Sequence, residues 1–127
     1  MLDHVTIKVS DLERSRAFYD AALSPLKISR VYDGEANFSG YGSLDKAFFW
    51  IGGFATQPIS GMHIAFVAEN RVAVDAFYAR ALAAGGRDNG APGLRPHYHE
   101  DYYGAFVHDP DGHNIEAVCH HPASPSD

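Results

Sequence analysis

The sequence predicts an α+β fold of two paired βαβββ modules, whose sheets form a concave, partly open β-barrel cleft. Two observations predict this fold. Residues 4–23 and 63–82 align without a gap, and both segments begin with the alternation of a strand and continue with the spacing of a helix. A tract of linker composition, residues 52–61, separates the two copies. The identical pairs are His4/His63, Ala17/Ala76, Phe18/Phe77, Tyr19/Tyr78, Ala22/Ala81 and Leu23/Leu82.

The repeat defines the expected domain organisation. Residues 1–121 form a single domain of two modules, 1–53 and 61–121, and residues 122–127 form a flexible tail. A chain of 127 residues is long enough for one such domain with a hydrophobic core.

The first module begins with a strand over residues 3–9. Val5, Ile7 and Val9 form its apolar face, and His4 lies on the polar face. Ser10-Asp11 offers an N-cap for a helix near residues 11–23, which ends at Ser24-Pro25. Three further strands are expected over residues 26–32, 37–41 and 46–51.

The second module repeats this pattern with a strand over residues 62–68 and a helix near 70–84. Residues 87–101 are rich in glycine, proline and polar side chains, and we expect a long loop there. The turn sequence Asp109-Pro110-Asp111-Gly112 then predicts a hairpin over residues 102–120. A turn of four residues would place Ala105 opposite Glu116.

Three ionisable side chains share one face of the predicted sheets. Glu116 lies in mid-strand among apolar neighbours, and a buried carboxylate is costly unless it is paired, hydrogen-bonded or bound to a metal. His4, His63 and Glu116 all point away from the face that the helices cover. Two imidazoles and one carboxylate suit a divalent metal with open coordination positions, although a histidine in a strand is also a common hydrogen-bonded packing residue.

Composition excludes several classes of partner. The net charge of −6 and the pI near 5.7 argue against binding to nucleic acid and to anionic membranes. No apolar run reaches the roughly 18 residues that span a bilayer, and the N-terminal stretch lacks the features of a signal peptide. Cys119 has no partner for a disulfide, and its position predicts a core residue. Together these features predict a cytoplasmic protein.

The two modules, the first-strand histidine of each and the closing sequence DPDGHNIE (109–116) resemble the vicinal oxygen chelate superfamily. That superfamily contains glyoxalase I, extradiol dioxygenases and bleomycin-resistance proteins, and the resemblance extends over residues 2–120. It implies a divalent metal in the cleft, with His4, His63 and Glu116 as its ligands. It also implies a small-molecule substrate or ligand and a homodimer.

One position departs from the glyoxalase I pattern. The resemblance places a fourth metal ligand on the strand 46–51, where this chain carries Trp50, and an indole N–H cannot bind a metal. Two kinds of metal-dependent enzyme stay open, a lyase or isomerase and an extradiol-type dioxygenase with iron at a His/His/Glu site. The metal itself (Fe, Zn, Mn or Ni) also stays open. The alternative is a metal-free binding protein of the bleomycin-resistance type.

The remaining candidate residues come from the segment Arg95–Tyr103 and from the strand that carries Trp50. We expect this segment to fold over the cleft, because it holds many hydrogen-bonding and proton-transfer groups directly before the hairpin. The alternative is a solvated surface loop with no functional role. The predicted catalytic residues are His99 and Tyr103, and the predicted substrate-binding residues are Phe48, Trp50, His97 and Tyr98.

Overall fold

The computed structural model of the protein describes residues 2–33, 37–53 and 61–124. The predicted linker falls largely on residues 54–60 and the end of the predicted tail on 125–127, so both lie outside the described residues. The elements in chain order are β1 (Val5–Lys8), α1 (Leu12–Leu23), a single 3-10 turn (Ser24–Leu26), β2 (Ser29–Asp33), β3 (Phe38–Ser43), β4 (Lys46–Gly52), β5 (His63–Val67), α2 (Arg71–Ala83), β6 (Arg87–Leu94), β7 (Tyr103–His108) and β8 (Asn114–Cys119).

Both helices begin where side-chain caps are available. Asp11 accepts a hydrogen bond from the backbone N–H of Arg14, and Asn70 accepts one from the N–H of Ala73. Each cap satisfies a backbone donor that the first helical turn leaves free. α2 ends before Gly85, whose φ of +104° is the left-handed conformation that glycine adopts at little cost. The predicted bounds of the two helices are therefore confirmed to within one residue.

The eight described strands form two separate four-stranded sheets. The strand order is β1-β4-β3-β2 in the first sheet and β5-β8-β7-β6 in the second. In each sheet the first strand lies parallel to the last strand of its own module, as β1 does to β4 and β5 does to β8. Over the described residues the two sheets do not close into a barrel, so the faces opposite the helices line an open cleft.

One apolar core lies between the helices and the two sheets. Every strand except β2 and β6 contributes residues to it, such as Ile7 from β1, Phe49 from β4 and Ile115 from β8. Phe18 and Phe77, an identical pair of the repeat, are both fully buried there. Cys119 is also in this core, as its position in the strand predicted. Residues of the opposite parity therefore face the cleft.

The hairpin of β7 and β8 differs from the prediction by one residue in register. Phe106, and not Ala105, lies opposite Glu116. The connection holds five residues, 109–113, because the carboxylate of Asp109 accepts hydrogen bonds from the backbone N–H groups of Asp111 and His113. Since side chains alternate along a strand, a shift of one residue moves every β7 side chain to the other face.

The prediction of a loop over residues 87–101 was wrong for the first half of this segment. Arg87–Leu94 forms β6, the edge strand of the second sheet, with an irregular register against β7. Gly90 has a φ of +148°, which interrupts the regular pairing. The loop is therefore shorter than expected, and it runs from Arg95 to Tyr102. None of the helices in the described ranges is long and apolar enough to cross a membrane.

Candidate functional site

Glu116 is held on the cleft face of β8 by two side chains. Its Oε1 lies 2.9 Å from Nε2 of His63, and its Oε2 accepts a hydrogen bond from the hydroxyl of Tyr102. The side chain of Glu116 is 2% exposed, whereas that of His63 is 52% exposed. The carboxylate is thus buried and satisfied, and the imidazole beside it is open to the cleft.

His63 reaches Glu116 because the pairing of β5 with β8 aligns their faces. Ala65 lies opposite Glu116, and His63 has the same parity as Ala65. The imidazole of His63 also lies against Phe106, with ring centroids 6.2 Å apart. The prediction that His63 and Glu116 share the face opposite the helices is confirmed by this register.

Tyr102 is a residue of the candidate site that the sequence pattern did not indicate. It ends the loop before β7, and its hydroxyl turns toward Glu116. Burial is the largest cause that raises the pKa of Tyr102, and the hydrogen bond and charge of Glu116 raise it further. The positive charge of Arg95 opposes part of this rise. Tyr102 therefore stays protonated and acts as a donor to the carboxylate.

Tyr103, a predicted catalytic residue, lies on the opposite side of the sheet. Its hydroxyl donates to Asp75 on α2, and the guanidinium of Arg71 lies over its ring at 5.0 Å. The prediction that Tyr103 faces Glu116 was wrong, because it assumed a turn of four residues. With the observed register Tyr103 lies opposite Cys119, a residue of the core.

The loop before β7 carries a cluster of aromatic rings that leads to Tyr102. The ring centroids of His97 and Tyr98 are 4.2 Å apart, and those of Tyr98 and Tyr102 are 4.8 Å apart. His99 packs edge-on against Tyr102, and its Nε2 lies 2.8 Å from Nδ1 of His120. The predicted residues His97, Tyr98 and His99 are thus linked to Glu116 through Tyr102.

His4 lies just before β1, on the cleft face of the first sheet. Its Nδ1 lies 2.7 Å from the carboxylate of Asp3, and it lines a bowl of about 530 Å³ together with Trp50 and Tyr32. The rings of Trp50 and Tyr32 are 5.2 Å apart. Phe48 does not line this bowl and instead lines a second cavity of about 640 Å³, which His4 also borders. Neither cavity is lined by His63 or Glu116.

The donor atoms of His63 and Glu116 fit two positions of a metal site. Two ligands about 2.1 Å from an ion and at right angles to each other lie about 3.0 Å apart, close to the observed 2.9 Å. Among the described residues, no group of three or more His, Cys, Asp or Glu side chains is placed to hold a metal ion. The chain therefore brings together two of the three predicted ligands, and His4 does not join them.

Comparison with known proteins agrees with this architecture. A family model for the Glyoxalase/Bleomycin resistance protein/Dioxygenase superfamily matches residues 1–117. A glyoxalase/bleomycin resistance protein from Albidiferax ferrireducens T118 is 34% identical, with a TM-score of 0.81, over 92% of this chain and 97% of that chain. No curated protein matches.

Two more distant structures share the fold alone. A glyoxalase-related enzyme from Fulvimarina pelagi is 22% identical, with a TM-score of 0.73, over 94% of this chain and 87% of that chain. A lactoylglutathione lyase from Agrobacterium tumefaciens is 16% identical, with a TM-score of 0.67, over 94% of this chain and 92% of that chain. The match over residues 1–117 confirms the resemblance noted in the sequence, and the chain belongs to the Glyoxalase/Bleomycin resistance protein/Dioxygenase superfamily.

Proposed function

We propose that this protein is a metal-dependent enzyme that acts on a small oxygenated substrate, with His4, His63 and Glu116 as metal ligands. The observation that carries the proposal is the pair of His63 and Glu116, whose donor atoms lie 2.9 Å apart on the cleft face. A buried carboxylate beside an exposed imidazole offers one anionic and one neutral donor to a cation that enters from the cleft.

A bound divalent ion would act as a Lewis acid on vicinal oxygen atoms of the substrate. The protein's own residues have separate tasks. Tyr102 holds the second oxygen of Glu116 and so fixes the direction of the carboxylate. The ring of Phe106 packs against His63 and limits the orientations of its imidazole.

The third ligand, His4, is proposed to come from a second copy of the chain. His4 lies on the cleft face of the first sheet, whereas His63 and Glu116 lie on the cleft face of the second. A two-fold dimer that places the first sheet of one chain over the second sheet of its partner would bring the three residues together. The aromatic bowl of Trp50 and Tyr32 would then close over the substrate.

A mixing experiment tests this arrangement directly. His4→Ala and His63→Ala are each expected to lose tight binding of Ni²⁺. In a mixed dimer of the two variants, one of the two sites contains an intact His4 from one chain and an intact His63 from the other. Unfolding and refolding the variants together at equal concentrations is therefore expected to restore about one quarter of the wild-type sites, since about half of the dimers are mixed. No restoration would exclude a site shared between chains.

The hydrogen bonds of Glu116 favour a second function. Both of its carboxylate oxygens already have hydrogen-bond partners, so the buried charge is satisfied by protein groups alone. This arrangement supports a metal-free protein that binds a flat molecule against its aromatic side chains. The two functions are separated by metal analysis of protein purified without chelators and then loaded with Fe²⁺, Zn²⁺, Mn²⁺ or Ni²⁺.

A further inference from the structure

Arg95, the first residue of the loop between β6 and β7, is held rigidly beside the cleft. Its Nη1 donates to the backbone carbonyl of Gly93 at 2.8 Å, and its Nη2 donates to that of Ala91 at 2.9 Å. The guanidinium carbon lies 5.4 Å from the centroid of the Phe106 ring. Two hydrogen bonds and a stacked ring fix the plane of the guanidinium.

Two glycines leave the space that the guanidinium occupies. A Cβ at Gly90 would lie 3.2 Å from Nη2 of Arg95 and 3.1 Å from the Phe106 ring, and a Cβ at Gly93 would lie 3.3 Å from Nη1. All three separations are tighter than ordinary contacts to a Cβ. The backbone of β6 therefore forms a cradle for this side chain.

The charge of Arg95 has no carboxylate partner among the described residues. Two other arginines of the chain are paired with acids, as Arg16 is with Asp33 and Arg30 is with Asp20. The groups that hold Arg95 are two neutral carbonyls and an aromatic ring. Of its five N–H donors, three have no partner in these interactions. The side chain thus offers a positive charge in a fixed orientation, together with N–H groups that can donate hydrogen bonds to a ligand.

Arg95 lies on the same face as the proposed metal ligands. Phe106 is opposite Glu116 in the hairpin, and its ring contacts both the guanidinium of Arg95 and the imidazole of His63. The charge of Glu116 is already balanced by hydrogen bonds from two side chains, so it does not compete for the guanidinium. A small molecule bound at His63 can therefore reach Arg95.

We propose that Arg95 binds an oxyanion of the substrate, a carboxylate or a phosphonate-type group, through its free N–H donors. A guanidinium recognises either group through two parallel hydrogen bonds. The chain has a net charge of −6, so an anion gains little from the overall field and depends on this local charge. The proposal rests on the proposed function, because it assigns the anion to the substrate of the same cleft.

The test is a titration of the full chain with benzoate, phenylphosphonate and inorganic phosphate, followed by NMR of the arginine Nε–Hε signals. We expect a saturable shift of the Arg95 signal with at least one of the three, and the tightest of them identifies the class of anion. Arg95→Gln is expected to weaken that binding at least about tenfold, and Arg95→Lys to restore part of it, because lysine keeps the charge without the planar fork.

Arg80→Gln is the matched control, because it removes the same charge from α2 on the other side of the sheet. It should bind the anion as the wild type does. The proposal is overturned if no probe shifts the Arg95 signal in a saturable way, or if Arg95→Gln binds the anions as tightly as the wild type. If Arg95→Gln does not fold, the titration of the wild type still tests the proposal, because it shows whether any probe shifts the Arg95 signal in a saturable way.

A parallel titration with Ni²⁺ separates this proposal from the proposed function. Arg95→Gln should bind Ni²⁺ as the wild type does, since Arg95 is not a proposed ligand. A wild type that binds the anion at Arg95 but no metal would overturn the metal-dependent function and leave the anion site. A wild type that binds metal but no anion would overturn the anion site alone.

Discussion

The hydroxyl of Tyr102 donates a hydrogen bond to Oε2 of Glu116, and His63 holds the other oxygen of the same carboxylate. Tyr102 and Tyr103 are neighbours in the chain, yet their side chains lie on opposite sides of the second sheet. Tyr103 instead donates to Asp75 on α2. The two tyrosines therefore form a natural pair for testing which face of the sheet carries the chemistry.

Tyr102→Phe is expected to weaken the binding of a divalent metal by about 10-fold, because residues that orient a metal ligand typically contribute 10–100-fold to affinity. The phenyl ring keeps the packing against Tyr98 and removes only the hydroxyl. Isothermal titration calorimetry with Ni²⁺ measures the change.

Tyr103→Phe provides the matched control for this substitution. It removes the hydrogen bond to Asp75 on the helix side and should leave the affinity for Ni²⁺ within about twofold of the wild type. Equal losses in the two variants would mean that the hydroxyl of Tyr102 has no specific role at Glu116.

His99→Ala is expected to leave metal affinity unchanged, whereas His63→Ala should abolish tight binding. His99 contacts His120 and the edge of Tyr102, and it does not contact Glu116. The same Ni²⁺ titration compares the two variants. A large loss of affinity in His99→Ala would instead place the loop histidine among the ligands.

Tyr19→Phe is expected to destabilise the fold by about 1–3 kcal/mol, because it removes a donor from a buried carboxylate. The hydroxyl of Tyr19 donates to Oδ2 of Asp109 at 2.6 Å, and both residues are buried. Burial, followed by the charge of Asp109, raises the pKa of Tyr19, so the hydroxyl stays a donor. This bond ties the hairpin turn of the second module to α1 of the first.

The repeat supplies the control for this stability measurement. Tyr78 is the counterpart of Tyr19, and its hydroxyl donates to Asp88 in an exposed setting. Tyr78→Phe should therefore change the free energy of unfolding by less than about 0.5 kcal/mol. Urea denaturation of the two variants gives both values, and a similar cost for both would show that burial of the Tyr19 bond adds nothing.

The parts of the fold that depend on periodic patterns could be predicted from the sequence. The helices and the inward faces of β1, β5 and β8 follow directly from apolar spacing, and their alternation identified His63 and Glu116 as neighbours on one face. The face to which a side chain points depends only on its position in the strand, so it can be predicted without knowledge of the tertiary contacts.

The register of the last hairpin could not be predicted in this way. It depends on a five-residue connection that Asp109 stabilises through backbone N–H groups, and Asp-Pro-Asp-Gly is equally compatible with a four-residue turn. Because the predicted register was wrong by one residue, Tyr103 was predicted to face the cleft and Tyr102 was not. The glycine-rich segment Arg87–Leu94 was likewise predicted as a loop, because its strand pairing depends on β7 and not on its own propensity.

The position of His4 could not be predicted from parity either. Parity places His4 on the cleft face of the first sheet, but it does not determine how far that sheet lies from the second. The two sheets have no shared hydrogen-bonded strands, so their separation depends on packing between modules. The three residues therefore lie on cleft faces, as parity predicts, but within the described part of one chain they do not come close enough to form a group of three ligands.

The most direct test of a metal site at His63 and Glu116 is the affinity of Ni²⁺ for the wild type and for Glu116→Gln, measured by calorimetry at neutral pH. Glutamine keeps the shape of the side chain and an acceptor for Tyr102, and it removes the charge. A metal site at these two residues should bind one ion tightly per chain in the wild type. The affinity should fall by more than about 100-fold in the variant, because even residues that only orient a metal ligand contribute 10–100-fold. A wild type that binds no ion, or a Glu116→Gln variant that binds Ni²⁺ as tightly as the wild type, would contradict it.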